Sequence, residues 1–399
     1  MPQLTEPANL PPPPYNGSNV VFLNSTLRQT LRMSSAAEQI RIRISNAFGG
    51  SDLPITGLTV ALPFNGSAGV SAIQSDTLQT VTFSGNESTL IPNGALAVSD
   101  PINLRLNPGT MLSVTLYTRE GQGGSSITSH PGSRTTSWFT MGNQLSSTNL
   151  TGPLLNSTAH WYAYFISAVE AWTTLDAGSL AIVGDSITDG RGSTTDANNR
   201  WPDLLLGKLQ ANPSTTKIAI ANQAAGGNRI LADGLGPNAL SRIDRDVLSQ
   251  SGVKYAMIFE GVNDIGVASA DHANQSIICD RIISAYDQII TRVHAHRIPI
   301  FGATITPFSG QNSTLQPYSD PIREETRQQI NSWIRNSGRF DEVIDFDQVL
   351  ADPEHLDQLN PLYDSGDYLH PNPAGYQALA DAFPLEFFAE YAGDISGFV

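Results

Sequence analysis

Leu180-Ala181-Ile182-Val183-Gly184-Asp185-Ser186-Ile187-Thr188-Asp189-Gly190 is the stretch that decides the fold. Four apolar residues in a row closed by a glycine read as a strand buried on both faces, and the polar turn after them leads into a helix over 201–210. Working outward, the alternation repeats. Strands are expected at 218–221, 255–259, 298–305 and 343–346, with helices over 239–248 and 322–334 and from Pro373 onward. A longer helix between them carries Ile278, Ile282, Tyr286, Ile289 and Val293 on one face. Strands alternating with crossover helices predict an α/β domain: a three-layer structure whose parallel sheet is covered on both sides. In such sheets ligands bind beyond the carboxyl ends of the strands.

Upstream the pattern differs. After a Pro-rich lead-in over 10–15, apolar residues recur with period two: Ile40, Ile42 and Ile44 against Arg41 and Arg43, then Leu58, Val60 and Leu62, Val81 and Phe83, and Leu112, Val114 and Leu116. Turn residues break these short runs, which predicts an antiparallel all-β sandwich, jelly-roll-like, over 1–175. Ser plus Thr number 49 in residues 1–200 and 21 in residues 201–399, and that shift separates it from a catalytic domain over 176–399.

Composition excludes several functions. With 22 basic against 37 acidic residues, the net charge of −15 argues against nucleic acid or an anionic membrane surface as partner. No stretch reaches the ~18 consecutive apolar residues of a membrane-spanning helix. The single cysteine, Cys279, excludes an internal disulfide framework and a cysteine-based zinc site, and its apolar neighbours Ile277 and Ile278 make it core filler. His294 and His296 stand two apart on a helix, point to different faces and are expected to be solvated. Eight Asn-x-Ser/Thr acceptors, at Asn16, Asn24, Asn65, Asn86, Asn149, Asn156, Asn274 and Asn312, exceed the four or five that 26 Asn and 70 Ser plus Thr would give by chance. N-linked glycans and a secreted protein are therefore expected. Because Met1-Pro2-Gln3-Leu4-Thr5 lacks a signal-peptide pattern, the numbering is expected to start at a mature end.

Four strand-end segments carry chemistry. Ser186 follows the first strand directly, where its hydroxyl can stand at the sheet edge; Thr188 breaks the Gly-x-Ser-x-Gly elbow of α/β-hydrolases. The second strand leads to Gly226-Gly227-Asn228-Arg229, in which paired glycines can bring a backbone N–H close to a ligand. The third ends in Gly261-Val262-Asn263-Asp264, where an amide can face a developing oxyanion. Near the end, Asp367-Tyr368-Leu369-His370-Pro371 sets a carboxylate three residues before a histidine, close enough to hold its Nδ1 and leave Nε2 for a serine; Pro371 keeps this stretch out of a helix.

Together these blocks, in this order over residues 179–390, resemble the SGNH hydrolase family, also called GDSL esterases. The family's four marker residues correspond to Ser186, Gly227, Asn263 and His370, with Asp367 as the acid. Ala224 departs from the pattern where the second block usually opens with a further Gly, and Gly226 stays open as an alternative donor. The first part, with Ser129-His130-Pro131-Gly132-Ser133-Arg134 late in it, is similar to the N-terminal domain of a two-domain branch that includes acetyl- and arylesterases of xylan degraders. It also resembles secreted yeast acetylesterases that deacetylate small acetate esters, cephalosporins among them.

The resemblance implies a serine esterase acting on short-chain acyl (acetyl) esters of carbohydrates or small molecules. Ser186 would attack, His370 accept its proton and Asp367 orient the imidazole, while the Ser186 and Gly227 N–H groups and the Asn263 side chain hold the oxyanion. No metal or cofactor is implied. Asp185, Arg191, Gly226, Asn228, Arg229 and His130 are pocket candidates, and Asp185, Asp189 and Asp264 are expected to orient the loops. Competing readings are a lipase, arylesterase or thioesterase with the same triad, a catalytically silent carbohydrate-binding protein, and a two-carboxylate glycosidase using Asp345 and Asp347. The polar character of 186–200 and 307–320 favours small acyl groups.

Overall fold

The computed structural model describes residues 1–4, 9–156, 163–310, 315–391 and 395. They fall into two compact units, Met1–Thr174 with Thr195–Asn198, and Leu175–Thr194 with Asn199–Val399.

The first unit is all-β and antiparallel. Its largest sheet runs, in spatial order, Leu155–Asn156, Trp138–Met141, Ser25–Arg32, Met111–Thr118, Gly57–Ala61 and Gln79–Val81. A second sheet sets Gln39–Ser45 between Leu96–Val98 and Ile166–Trp172. The period-two residues Ile40, Ile42, Ile44, Leu58, Val60, Leu112, Val114 and Leu116 meet in one core, each contributing about 1.5–3 kcal/mol by burial. Two expectations need correction. Arg41 points outward, but Arg43 is buried, its Nε 3.9 Å from Glu170 of the neighbouring strand. Met111–Thr118 is covered on both faces. Its polar side is sealed by the buried Arg28, which donates to Thr115 Oγ1 at 2.8 Å, to the Ser71 carbonyl at 2.6 Å and to the Ser147 carbonyl at 2.8 Å. Burial lowers the pKa of this guanidinium to about 10. Of the glycosylation acceptors, Asn24, Asn65, Asn86, Asn149 and Asn274 are exposed and Asn16 is half-buried; Asn312 and the side chain of Asn156 lie outside the described residues.

The second unit holds five parallel strands in the order Ile218–Ala224, Gly178–Gly184, Val253–Phe259, Ile300–Ala303 and Glu342–Ile344. Numbered along the chain this is 2-1-3-4-5, so the direction of winding reverses between the first and third strands. Its helices pack in two groups, Trp201–Ala211 with Pro373–Ala382 and His272–His294 with Pro321–Asn336, as right-handed crossovers on either side of a reversal require. Gly184 pairs with Ala224 on one side and Phe259 on the other, so the first three strands end level.

Several boundaries differ from the sequence reading. The last strand stops at Ile344, because Asp345 caps a short helix, Phe346–Leu350, that takes Phe346 into the core. The helix expected over 239–248 is α-helical at Ala239–Ile243 and continues as a π-turn, Asp244–Leu248. His294 is buried, not solvated: its Nε2 lies 2.8 Å from Asp341 Oδ2, which also accepts the Ile300 N–H at 2.7 Å and so fixes the start of the fourth strand. Asp345 and Asp347 serve as counter-ions, bonded to Arg335 at 2.7 Å each, and Asp347 to Arg327 at 2.5 Å. Among the described residues, no helix is long and apolar enough to cross a membrane, and no group of three or more His, Cys, Asp or Glu side chains is placed to hold a metal ion.

Candidate active site

The level ends of the first three strands bring their loops into contact. After the first strand, Asp185 caps a single helical turn, Ser186–Asp189, its carboxylate accepting the Ile187 N–H at 2.9 Å, and Gly190 closes the turn in a left-handed conformation (φ 100°). Ser186 thus opens a helix, where backbone N–H groups lack intrahelical acceptors. Among the described residues the Ser186 N–H has no acceptor.

The second loop is stitched to the first by the Gly226 N–H, which donates to Asp189 Oδ2 at 3.0 Å. Gly227 follows in a left-handed conformation (φ 69°), and a Cβ there would fall 2.5 Å from the Leu235 side chain. Only glycine avoids both the conformational cost and the clash. The Gly227 N–H also has no acceptor among the described residues. The third loop begins a short helix, Val262–Val267, which replaces the loop expected around Asn263. Asp264 accepts the Ile230 N–H at 2.8 Å and the Leu231 N–H at 2.9 Å. Asn263 donates one amide proton to the Asn228 carbonyl at 2.9 Å, and its Oδ1 accepts the Tyr318 hydroxyl at 3.1 Å. One Asn263 N–H is left over.

The fourth segment brings a histidine and a carboxylate to the serine. Ser186 Oγ lies 2.7 Å from His370 Nε2, and His370 Nδ1 lies 2.7 Å from Asp367 Oδ2. The other Asp367 oxygen accepts the His370 N–H at 2.8 Å and the Leu369 N–H at 3.1 Å, so carboxylate and imidazole are fixed by their own turn. Asp364 Oδ1 in turn accepts the N–H groups of Gly366, Asp367 and Tyr368 at 2.9–3.2 Å, and Gln316 donates to the Asp367 carbonyl at 2.9 Å. Burial acts to raise the Asp367 pKa, but the hydrogen bonds and charge of His370 prevail and hold it well below the usual carboxylate range. An ionised Asp367 needs a donor at Nδ1, so Nε2 is the acceptor that faces the serine hydroxyl.

Behind the serine the electrostatics reverse. Burial pushes Asp185 up to about 7 and Asp264 up to about 6, against the N–H bonds each accepts. Glu260 is buried with neither oxygen hydrogen-bonded, only Arg242 at 3.6 Å, and burial raises it well above the usual range. Burial thus disfavours the charged forms of all three carboxyls, which lessens the negative charge behind the serine.

The other candidates divide. Arg191 is exposed, with Nε 3.9 Å from Asp367 Oδ2. The Arg229 side chain bonds the Asp233 carbonyl and so ties its own loop. Asp185 and Asn228 are buried and turned inward. Asn228 Oδ1 accepts from Arg242 at 3.0 and 2.8 Å, and its amide donates to the Pro237 carbonyl at 2.8 Å. His130 belongs to the first unit, 3.1 Å from Gln3 Oε1. Sequence reasoning missed Arg242, Tyr318, Gln316 and Asp364. Arg242 carries a readable signal, a cation amid the apolar residues Ala239, Leu240, Ile243 and Val247; the remaining three carry none.

Residues 182–378 match the family model described as the GDSL-like Lipase/Acylhydrolase family. Among solved structures, the chain is similar to a GDSL-like lipase from Bacteroides thetaiotaomicron (17% identity over 53% of this chain and 89% of that chain, TM-score 0.39). It is similar also to an acetylxylan esterase from Geobacillus stearothermophilus (20% identity, 54% and 94%, TM-score 0.38). A protein of the G-D-S-L family from Desulfitobacterium hafniense compares likewise (19% identity, 51% and 96%, TM-score 0.38). No curated protein matches the chain. With Ser186 opening a helical turn after the first strand of a parallel sheet and the family model spanning that strand to the last long helix, the second unit of this chain is a GDSL-like lipase/acylhydrolase domain.

Proposed function

We propose that this chain is a secreted serine esterase that hydrolyses short-chain acyl esters, acetyl esters above all, of carbohydrates or small molecules. The observation that carries the reading is the continuous relay from Ser186 Oγ through His370 to Asp367, with both links at 2.7 Å. In the proposed reaction His370 Nε2 takes the Ser186 proton as Oγ bonds to the ester carbonyl carbon. The carbonyl oxygen gains the negative charge and is held by the Ser186 and Gly227 N–H groups and the spare Asn263 N–H. Collapse of this intermediate breaks the bond to the alcohol oxygen, which receives the proton from His370. Water, deprotonated by His370, then adds to the acyl carbon; the bond from that carbon to Ser186 Oγ breaks, Oγ takes the proton back from His370, and the acid leaves. Gly227 is preferred over Gly226 because the Gly226 N–H is already given to Asp189.

The short-acyl part rests on the Gly-, Ser- and Thr-rich loop over 186–200, which offers no run of apolar residues to seat a long chain. A series of p-nitrophenyl esters from acetate to palmitate tests it: turnover is expected to be fastest on acetate and to fade with chain length. A palmitate optimum would overturn the acyl reading and leave the serine chemistry standing. The secreted part rests on the sequons, five of them exposed. Protein from its natural source should lose mass on treatment with an N-glycosidase; an unchanged mass would count against it.

A further inference from the structure

An oxyanion-donating asparagine has an intrinsic ambiguity. Rotation of its amide by half a turn exchanges the N–H₂ group for an oxygen, which would repel the charge it should stabilise. Something must hold Asn263 the right way round. The Asn228 carbonyl, which can only accept, selects the orientation by taking one amide proton, and the Tyr318 hydroxyl, donating to Oδ1 at 3.1 Å, anchors the oxygen end of the amide in that orientation. Tyr318 stands 55 residues further along the chain and is itself fixed. Its ring lies edge-on to Phe308 and against Gly266 of the same helix as Asn263, where an added Cβ would come within 2.3 Å of the ring. Its N–H donates to Gln316 Oε1 at 3.0 Å, and Gln316 Nε2 donates to the Asp367 carbonyl at 2.9 Å. One short segment, residues 316–318, therefore touches both the oxyanion side and the base side of the site.

We propose that Tyr318 is a positioning residue of the ester hydrolysis, anchoring Asn263 Oδ1 in the orientation that the Asn228 carbonyl selects, so that Asn263 presents its second N–H to the oxyanion. The proposal rests on the serine-esterase reading above. Burial raises the Tyr318 pKa and so preserves its hydroxyl as a donor at alkaline pH. The Tyr318→Phe variant keeps the ring in place and removes only the donor, leaving Asn263 Oδ1 without a partner in a site that is 5% exposed at Asn263.

The test is steady-state hydrolysis of p-nitrophenyl acetate by wild type, Tyr318→Phe, Asn263→Ala and the double variant, with a melting temperature for each. Loss of one neutral hydrogen bond should lower kcat roughly five- to tenfold in Tyr318→Phe, with KM nearly unchanged. Asn263→Ala should lower kcat by about 10²- to 10³-fold, and adding Tyr318→Phe should cost nothing further, because the hydroxyl acts only through Asn263. An equal loss in both backgrounds, or no loss in the single variant, would overturn the positioning role while leaving the esterase reading intact. Wild-type turnover in Asn263→Ala would remove Asn263 from the mechanism and Tyr318 with it.

Discussion

Ser186→Ala is expected to lower kcat on p-nitrophenyl acetate by about 10⁴- to 10⁶-fold, with a melting temperature close to wild type. The hydroxyl makes one hydrogen bond, to His370 Nε2, and its removal leaves the capping turn, the Asp189–Gly226 bond and the His370–Asp367 pair untouched. Residual activity would come from the donors that remain, since an oxyanion hole without its nucleophile still binds the transition state better than water does. A variant that retained more than about a tenth of wild-type turnover would mean that another group performs the attack.

The second large effect concerns stability. Arg242 is fully buried at the sheet edge and gathers the ends of two strands. Its guanidinium donates to the Gln223 carbonyl at 2.6 Å, the Gly184 carbonyl at 3.4 Å and Asn228 Oδ1 at 3.0 and 2.8 Å, and stands 3.2 Å from Asp246 and 3.6 Å from Glu260. Arg242→Met fills much of the same volume but takes the buried donor from the Gln223 carbonyl and Asn228 Oδ1 and the cation from Asp246 and Glu260, while the Gly184 carbonyl keeps the Ala225 N–H at 2.9 Å. Removing one partner of a buried ion pair typically costs about 3–5 kcal/mol, and urea unfolding should show a loss of that order. Asp246 retains Arg245 at 2.7 Å, so the damage should fall on the second loop, where Asn228 holds Asn263. A loss below about 1 kcal/mol, the ordinary range for surface changes, would show that the cluster is not a structural support.

How much of this was legible in the sequence depends on distance along the chain. Period two marked Ile40 to Ile44 and Leu112 to Leu116, because side-chain alternation is a local property. The apolar runs of the parallel strands showed themselves by their length. The pairing of Asp367 with His370 was visible because the two lie on one turn, and the strand-end placement of Ser186 because a polar turn directly follows a buried strand. Local patterning could not show which face of Met111–Thr118 is covered by Arg28, nor that Val343 and Phe346 belong to different elements, since an Asp cap and a strand continuation look alike. The choice between Gly226 and Gly227 depended on where the Asp189 carboxylate lies. Tyr318 was invisible for the same reason: its relation to Asn263 exists only after strands three and four are laid side by side.

The central claim is that Ser186 is a nucleophile activated by His370 and Asp367. A fluorophosphonate labels a serine so activated: Oγ attacks the phosphorus, His370 takes its proton and fluoride leaves. Intact-mass measurement followed by peptide mapping should find one adduct per chain, on the peptide containing Ser186, with esterase activity lost in parallel. An adduct on another serine, or full inactivation with Ser186 unmodified, would contradict the account.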